Sequence, residues 1–306
     1  MFFAPPRIIE TQVFARLPAP LQDADQSNEW VAGQPLGTHA GSLIEGPSFD
    51  REGNLWCVDV QNGRVFTVDR DGRFTVRAHY DGWPNGLKIH RDGRILITDY
   101  KHGLMVLDRD TGKVTPWLER CNAERFKGVN DLCIAANGDL YFTDQGLTGL
   151  HDPTGRVFRV RPDGGITCLL DNVPSPNGVA LSPDEHVLYL AVTRGNQVWR
   201  VPLLEDGSVS KVSAFFTSHG PSGPDGLAVD DSGRVLVANP GLGCVWVLNA
   251  RAEPDLVLRS CAGTSLTNVA FGGPDRQTLY GTDSSTGTVL RAVLDRAGLP
   301  LHRARR

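Results

Sequence analysis

The stretch at residues 129–144 reads VNDLCIAANGDLYFTD, and its pattern recurs along the chain. It begins with a polar pair, continues through an apolar run and turns at Asn137-Gly138. A second run, Leu140-Tyr141-Phe142-Thr143, follows that turn. Aromatic and β-branched residues on both sides of an Asn-Gly turn are typical of a β-hairpin. The stretch therefore predicts two neighbouring antiparallel strands.

Six copies of this pattern follow one another, with starting residues 40 to 48 positions apart. The copies start at Glu45, Asn85, Asn130, Asn177, Asp225 and Thr267. A repeat of about 40 to 50 residues that holds about four short strands is typical of a β-propeller blade. No segment shows a helical period of useful length. We therefore expect an all-β fold, a six-bladed β-propeller with four-stranded blades.

The residues before the first repeat predict how the ring is closed. Residues 8–15, IIETQVFA, alternate like a strand. We expect this N-terminal strand to complete the last blade and so to remove an exposed sheet edge. The expected organisation is a single domain over residues 1–306, with a closing-strand region at 1–18, a connecting segment at 19–44, six blades at 45–292 and a C-terminal tail at 293–306.

Composition and charge narrow the class of protein. The chain of 306 residues carries 31 Lys+Arg against 35 Asp+Glu, a formal net charge of −4. This balance is ordinary for a globular protein and offers no basic surface for nucleic acid or anionic lipid. No run reaches the roughly 18 apolar residues of a membrane span, and the first residues lack the pattern of a signal peptide. We expect a cytoplasmic protein without a nucleic-acid or membrane partner.

The six starting residues of the repeats predict a site. In a propeller the innermost strand starts each blade, so these residues form a ring around one mouth of the central channel. The ring holds two carboxylates, three carboxamides and one hydroxyl. Oxygen ligands suit calcium, magnesium and manganese, which favours a cation site. Asn and Asp before Gly are also ordinary turn residues, so the ring alone leaves both interpretations open.

Several motifs within the repeats carry a family resemblance. They are Glu45-Gly46-Pro47, Val129-Asn130-Asp131-Leu132, Pro176-Asn177-Gly178-Val179, Gly223-Pro224-Asp225-Gly226-Leu227 and Thr267-Asn268-Val269-Ala270-Phe271-Gly272-Gly273. In this order and spacing they resemble the gluconolactonase, regucalcin and luciferin-regenerating-enzyme family. The resemblance extends over about residues 40–292 and involves all six blades.

The resemblance implies one divalent cation at the channel mouth of a six-bladed propeller. Calcium is the first expectation, and magnesium, manganese, zinc and ferrous iron are the alternatives. Glu45, Asn177 and Asp225 match the metal ligands of the family. Asp225 also matches its proposed general base.

The resemblance also implies substrate contacts. Asn130 matches a residue at the edge of the metal that contacts substrate or metal-bound water. We add Asn85 of the same ring to the predicted substrate-binding residues. The family places a basic residue shortly before the third-blade Asn, and the candidates here are Arg125 and Lys127. Residues 145–151 contain no carboxylate, whereas regucalcin-like members have one there that contacts sugar.

The predicted function is hydrolysis of a small lactone, such as an aldonolactone, to its hydroxy acid. A divalent cation held by three protein oxygens polarises a carbonyl and favours attack by water. Two alternatives stay open: a phosphotriesterase-like hydrolase on the same scaffold, and a non-catalytic propeller with a structural cation. A serine hydrolase is disfavoured because the chain has no G-x-S-x-G motif.

Overall fold

The computed structural model describes residues 4–22, 29–35 and 41–300, and nearly all of its regular structure is strand. Six antiparallel sheets of four strands each form the blades, and one of them carries an additional fifth strand. The helical elements among the described residues are an α-helix and two 3-10 helices, at Glu29–Ala32, Ala19–Leu21 and Thr193–Gly195. The predicted six-bladed β-propeller is confirmed. The end of the predicted C-terminal tail, residues 301–306, lies outside the described residues.

The first three blades follow the first three sequence repeats, each from an inner to an outer strand. Blade 1 comprises Ile44–Phe49, Leu55–Asp59, Arg64–Val68 and Phe74–His79. Blade 2 comprises Pro84–Ile89, Ile95–Asp99, Gly103–Leu107 and Val114–Leu118. Blade 3 comprises Val129–Ile134, Leu140–Asp144, Gly155–Val160 and Ile166–Val173. A small hairpin between blades 2 and 3 pairs Arg120–Cys121 with Glu124–Arg125.

The last three blades follow the same order. Blade 4 comprises Pro176–Leu181, Val187–Val192, Gln197–Pro202 and Ser213–Thr217. The four antiparallel strands of blade 5 are Leu227–Val229, Val235–Asn239, Cys244–Leu248 and Pro254–Arg259. Blade 6 comprises Leu266–Gly272, Thr278–Asp283, Thr288–Val293 and, from the N-terminal region, Gln12–Arg16.

Apolar side chains pack between blades rather than within them. Each of the six apolar clusters among the described residues combines side chains of two adjacent blades. Between blades 1 and 2, for example, Trp56 and Val65 pack with Leu87 and Ile97. The innermost strands also contact each other from blade to blade around the whole ring. No blade therefore has a core of its own, and each depends on its two neighbours for burial.

The N-terminal segment closes the ring, as the sequence predicts, but it does so with two strands. Gln12–Arg16 pairs antiparallel with Thr288–Val293 and completes blade 6. Arg7–Glu10 instead pairs in parallel with Pro254–Arg259 of blade 5. The prediction of one strand over residues 8–15 was wrong because the segment changes sheets at Thr11. The Thr11 backbone N–H donates to the Arg259 carbonyl at 2.8 Å, and its hydroxyl accepts the Cys261 N–H at 3.1 Å.

The cysteine side chains differ in burial. Cys57 and Cys244 are buried, and Cys133 is partly buried. Cys168 and Cys261 are exposed, and all six thiols are free. No helix within residues 4–22, 29–35 and 41–300 has the length and apolar character needed to cross a membrane.

The clasp at Gln12–Arg16 generates a stability prediction. Removing residues 1–16 exposes the edge of Thr288–Val293 and deprives the blade 6–blade 1 cluster of Ala15. We expect the lost strand pairing and apolar burial to lower the free energy of unfolding by about 5 kcal/mol. This loss corresponds to a fall in Tm of roughly 10 °C. Thermal unfolding followed by circular dichroism measures this. Removing residues 1–6 alone leaves both strands in place and is the control. Equal Tm values for the two truncations would contradict the role of the clasp.

Candidate functional site

The ring residues lie where each inner strand departs from regular pairing. In blades 1 to 4 and 6 the register with the middle strand shifts across the ring position, for example between Glu45 and Ser48 and between Pro176 and Val179. In blade 5 the regular strand begins only at Leu227, after the ring residue. A bulge changes the direction of a side chain on a strand. The irregularities thus allow the ring side chains to turn toward the channel.

The ring is buried at one mouth of the channel and its members interact. Five of the six side chains belong to buried residues, and Asp225 is partly exposed. Glu45 accepts a hydrogen bond from the Gly46 N–H at 2.8 Å, and its interaction with the Thr267 side chain lowers its pKa. The interaction of Asp225 with the Asn177 side chain likewise lowers the pKa of Asp225. The structure therefore brings the three predicted metal ligands, Glu45, Asn177 and Asp225, into one electrostatic environment.

Negative charge is concentrated in this environment. Burial, the largest cause, raises the pKa of Glu45 to about 7, and the charge of Asp131 adds to the effect. Burial also raises the pKa of Asp225 well above its usual range, with further contributions from Glu45 and Asp131. Arg194 opposes this rise in the Asp225 pKa. The positive charge that the protein supplies is therefore not enough to neutralise both Glu45 and Asp225.

A second polar layer lies one residue further into the channel. Four of the six positions after the ring are glycine, and the other two are Asp131 and Asn268. These two residues belong to blades 3 and 6, which face each other across a six-membered ring. The Asn268 side chain interacts with the Asp131 carboxyl and lowers its pKa. Lys88 Nζ lies 4.0 Å from Asp131 Oδ1. We call the interacting pair Asp131 and Asn268 the cross-channel bridge.

The glycines of the second layer provide the space for the bridge. A Cβ at Gly86 would lie 2.8 Å from Asp131 Oδ1, and a Cβ at Gly226 would lie 2.1 Å from Asn268 Oδ1. Both distances are too short for a side chain to be accommodated without movement. Gly86 and Gly226 are therefore required by side chains from neighbouring blades, in addition to any turn that they form.

Asn130 is oriented by its neighbours. Its Nδ2 donates to Gln145 Oε1 at 2.8 Å, and Gln145 Nε2 donates to Ser175 Oγ at 2.8 Å. This chain of hydrogen bonds runs from blade 3 to the loop before blade 4. It engages the amide nitrogen of Asn130 in a hydrogen bond and thereby orients the amide group. Asn85, the other predicted substrate-binding amide, is buried in the same ring.

The two predicted basic substrate contacts lie outside the ring. Both residues are exposed. Lys127 Nζ donates to the Thr154 carbonyl at 2.8 Å, and the Lys127 N–H donates to Asp144 Oδ1 at 2.7 Å. Arg125 Nη1 lies 3.6 Å from Glu119 Oε1 beside the small hairpin. The cationic side chain that acts on Asp225 is that of Arg194. Sequence reasoning missed Arg194 because it follows a strand and belongs to no motif.

The donor set fits a hard divalent cation. Two carboxylates and one amide face the same mouth, and such oxygen donors suit calcium or magnesium. Within the described residues, no three His, Cys, Asp or Glu side chains cluster closely enough to hold a metal on their own. Amide oxygens would therefore have to complete the coordination, as the ring of Asn residues allows. This fit is the structural support for the predicted ligands.

The opposite end of the channel has a different character. It opens into a cavity of about 160 Å³ lined mainly by apolar side chains of the inner strands. Those side chains include Val179, Leu227, Val269 and Phe271. Lys88 is also part of the lining. The ring of oxygen donors lies at the polar mouth, and this end is mainly apolar.

Comparisons with known proteins agree with this geometry. A model of the SMP-30/Gluconolactonase/LRE-like region matches residues 43–285. A protein named lactonase drp35 from Staphylococcus aureus (strain MRSA252) is 32% identical over 228 residues, covering 70% of this chain and 68% of its own. A putative gluconolactonase structure is 25% identical with a TM-score of 0.74, covering 85% of this chain and 91% of its own.

A further solved structure supports the fold. It is a calcium-binding protein, regucalcin, from Agrobacterium tumefaciens str. C58, with a TM-score of 0.77 at 24% identity. The match covers 98% of this chain and 99% of that one. At this identity the likeness concerns the path of the chain. It includes the described N-terminal clasp region as well as the blades.

The cross-channel bridge generates a prediction about Gly226. In Gly226→Ala the new Cβ would also meet Asn268 Cα at 2.6 Å, so the backbone of blade 6 must shift. We expect a loss of about 3 kcal/mol, the upper end of the cost of overpacking an interior. Chemical denaturation measures it. Gly33→Ala is the control, because its Cβ would meet its nearest atom at an ordinary 3.5 Å. Equal stability of the two variants would show that the channel accommodates a side chain at position 226.

Proposed function

The chain belongs to the SMP-30/gluconolactonase/LRE-like family, and from this membership we propose that it is a lactonase that hydrolyses a small lactone to its hydroxy acid. The observation that carries the proposal is the mouth of the channel, where Glu45, Asn177 and Asp225 share one buried polar environment. The lactonase and gluconolactonase names of the relatives support the same reaction class.

We assign Glu45, Asn177 and Asp225 as the groups that would hold one divalent cation, with calcium as the first expectation because all donors are oxygens. When bound, the cation supplies Lewis-acid polarisation of the lactone carbonyl and neutralises the developing oxyanion. The calcium-binding neighbour from Agrobacterium tumefaciens supports this choice through its shared fold. The chain's own residues then have to bind the lactone, orient it and move protons.

Asp225 is the proposed general base. Asp225 is a partly exposed residue at the mouth, and the Asn177 side chain interacts with its carboxylate. As the water oxygen bonds to the carbonyl carbon, Asp225 accepts a proton from that water. The ring C–O bond then breaks, and its oxygen takes a proton to become the hydroxyl of the product. Water and lactone together account for all atoms of the hydroxy acid.

Asn130 and Asn85 are the proposed substrate-binding residues. The hydrogen bond from Asn130 Nδ2 to Gln145 orients the amide and leaves its oxygen and its second N–H available to a ligand. Asn85 lies between Glu45 and Asn130 in ring order and is equally buried in the channel wall. A buried amide that is already oriented recognises a polar group without first losing its own side-chain entropy. In this proposal Arg125 and Lys127 contact the substrate from outside the ring.

The proposal predicts the effect of removing each carboxylate. Asp225→Asn and Glu45→Gln keep the size of the side chain but remove its charge. We expect kcat/KM for lactones to fall by about 100-fold or more, the usual contribution of a general acid or base. Calcium affinity, measured by isothermal titration calorimetry, should also fall.

The control for these variants is Asp231→Asn. Asp231 is exposed and follows the inner strand of blade 5, at the end of the channel away from the ring. This variant should keep the activity and calcium affinity of the parent protein. The proposal fails if Asp225→Asn, folded by circular dichroism, hydrolyses a panel of lactones as fast as Asp231→Asn.

Removing divalent cations separates an enzyme from a propeller with a structural ion. We expect a chelator to abolish lactone hydrolysis and added calcium to restore it. The cation would neutralise negative charge that the protein's own groups leave uncompensated. Hydrolysis and Tm are followed in the same samples. A fall in Tm without any hydrolysis to lose, at every metal concentration, would support the structural ion instead.

A further inference from the structure

The loop after the middle strand of blade 3 exposes two leucines. Leu147 is 66% exposed and Leu150 is 74% exposed, which places both among the most exposed large apolar side chains of the described residues. The middle strand ends at Asp144, on the face where the ring lies, because it runs antiparallel to an inner strand that begins there. The two leucines therefore lie on the same face of the propeller as the proposed site.

Hydrogen bonds attach this loop to the ring. Gln145, its first residue, accepts the hydrogen bond from Asn130 of the ring. The Thr148 hydroxyl donates to the Gln145 carbonyl at 2.6 Å and accepts the Ser175 N–H at 3.1 Å. Thr148 lies between the two leucines and is itself buried. The hydrogen bonds of Gln145 and Thr148 thus connect the loop that carries the leucines to Asn130.

The second leucine sits in a closed turn. The Gly149 N–H donates to the Asp152 carbonyl at 3.0 Å, and the Asp152 N–H donates to the Gly149 carbonyl at 3.1 Å. A Cβ at Gly149 would lie 3.6 Å from Arg194 Cγ, so the turn packs close to Arg194. The charge of Arg194 acts on Asp225, which connects the turn to the reacting groups. The exposed Leu150 side chain is therefore displayed by an ordered turn near the proposed base.

The chemistry of this loop is unlike that of the ring. Residues 145–150, QGLTGL, carry no charged side chain. The Gln145 and Thr148 polar groups already have partners within the protein. A polyhydroxylated ring would find few unengaged hydrogen-bonding side chains here, whereas an apolar group would bury against two leucines. Apolar surface displayed beside a polar site is typical of ligand recognition.

We propose that Leu147 and Leu150 form an apolar rim that binds the hydrocarbon substituent of a lactone, so that the substrate class is lactones bearing an alkyl or aryl group. This inference rests on the proposed lactonase function. The lactone ring would enter the polar mouth, and its substituent would extend outward over the loop. The polar ring and the apolar rim then recognise the two halves of one amphipathic substrate.

The test compares three lactones on the parent protein. δ-Decalactone carries an alkyl chain, δ-valerolactone has the same ring without it, and glucono-δ-lactone carries hydroxyls instead. We expect kcat/KM for δ-decalactone to exceed that for δ-valerolactone by about tenfold or more, the discrimination that a hydrophobic pocket provides. A tenfold preference for glucono-δ-lactone over δ-decalactone would overturn the inference.

The double variant Leu147→Ser/Leu150→Ser tests the residues. It should lower kcat/KM for δ-decalactone by about tenfold and change that for δ-valerolactone by less than about twofold. Leu204→Ser is the matched control, since Leu204 is 49% exposed and follows a third strand that ends at the opposite face. Unchanged Tm values show that the variants are folded. An equal loss on both lactones, or none, would overturn the inference.

Two further outcomes are distinguishable. If none of the three lactones is hydrolysed by the calcium-loaded parent, the proposed function fails and the inference fails with it. If kcat/KM is the same for lactones with and without the alkyl substituent, the inference is overturned and the proposed function is not. If the leucines instead contact a second copy of the chain, the double variant changes the mass measured by light scattering and leaves the lactone preference unaltered. That result would also overturn the inference.

Discussion

Closure of six sheets around one axis is the constraint on which the rest of the structure depends. The apolar clusters lie between blades, so a blade without its neighbours would expose one side of each cluster. The hydrogen bonds between Gln12–Arg16 and Thr288–Val293 hold the two ends of this arrangement together. Closure also brings the six ring residues, which lie at or just before the start of the inner strands, together around one mouth of the channel. A site at the mouth is therefore a direct product of the ring.

The same closure concentrates charge. Glu45 and Asp225 come from blades 1 and 5, far apart in sequence, and yet the charge of Glu45 contributes to the raised pKa of Asp225. Burial of both carboxylates costs free energy unless a positive charge compensates them. Arg194 supplies part of this compensation. The negative charge that Arg194 leaves uncompensated is the physical reason why the oxygen donors at this mouth suit a divalent cation. The far end of the channel is mainly apolar and does not suit one.

The repeat pattern was sufficient to predict the blades, because turn residues and short apolar runs are local features. It also predicted the ring, since Glu45, Asn177 and Asp225 hold equivalent positions. It could not predict the cross-channel bridge, because Asp131 and Asn268 meet only through closure of the ring. The change of sheets at Thr11 was missed for a related reason: alternation in residues 8–15 does not indicate which of two edges each half will meet.

The double attachment of the N-terminal segment has a consequence for biosynthesis. Residues 7–16 are synthesised long before their partners at residues 254–293. Early blades can form hairpins during translation because their contacts are local. The segment must stay unpaired until residues 254–293 have emerged, so closure is expected to be a late step in folding. During that interval the unpaired segment and the open sheet edge are exposed to chaperones and to aggregation.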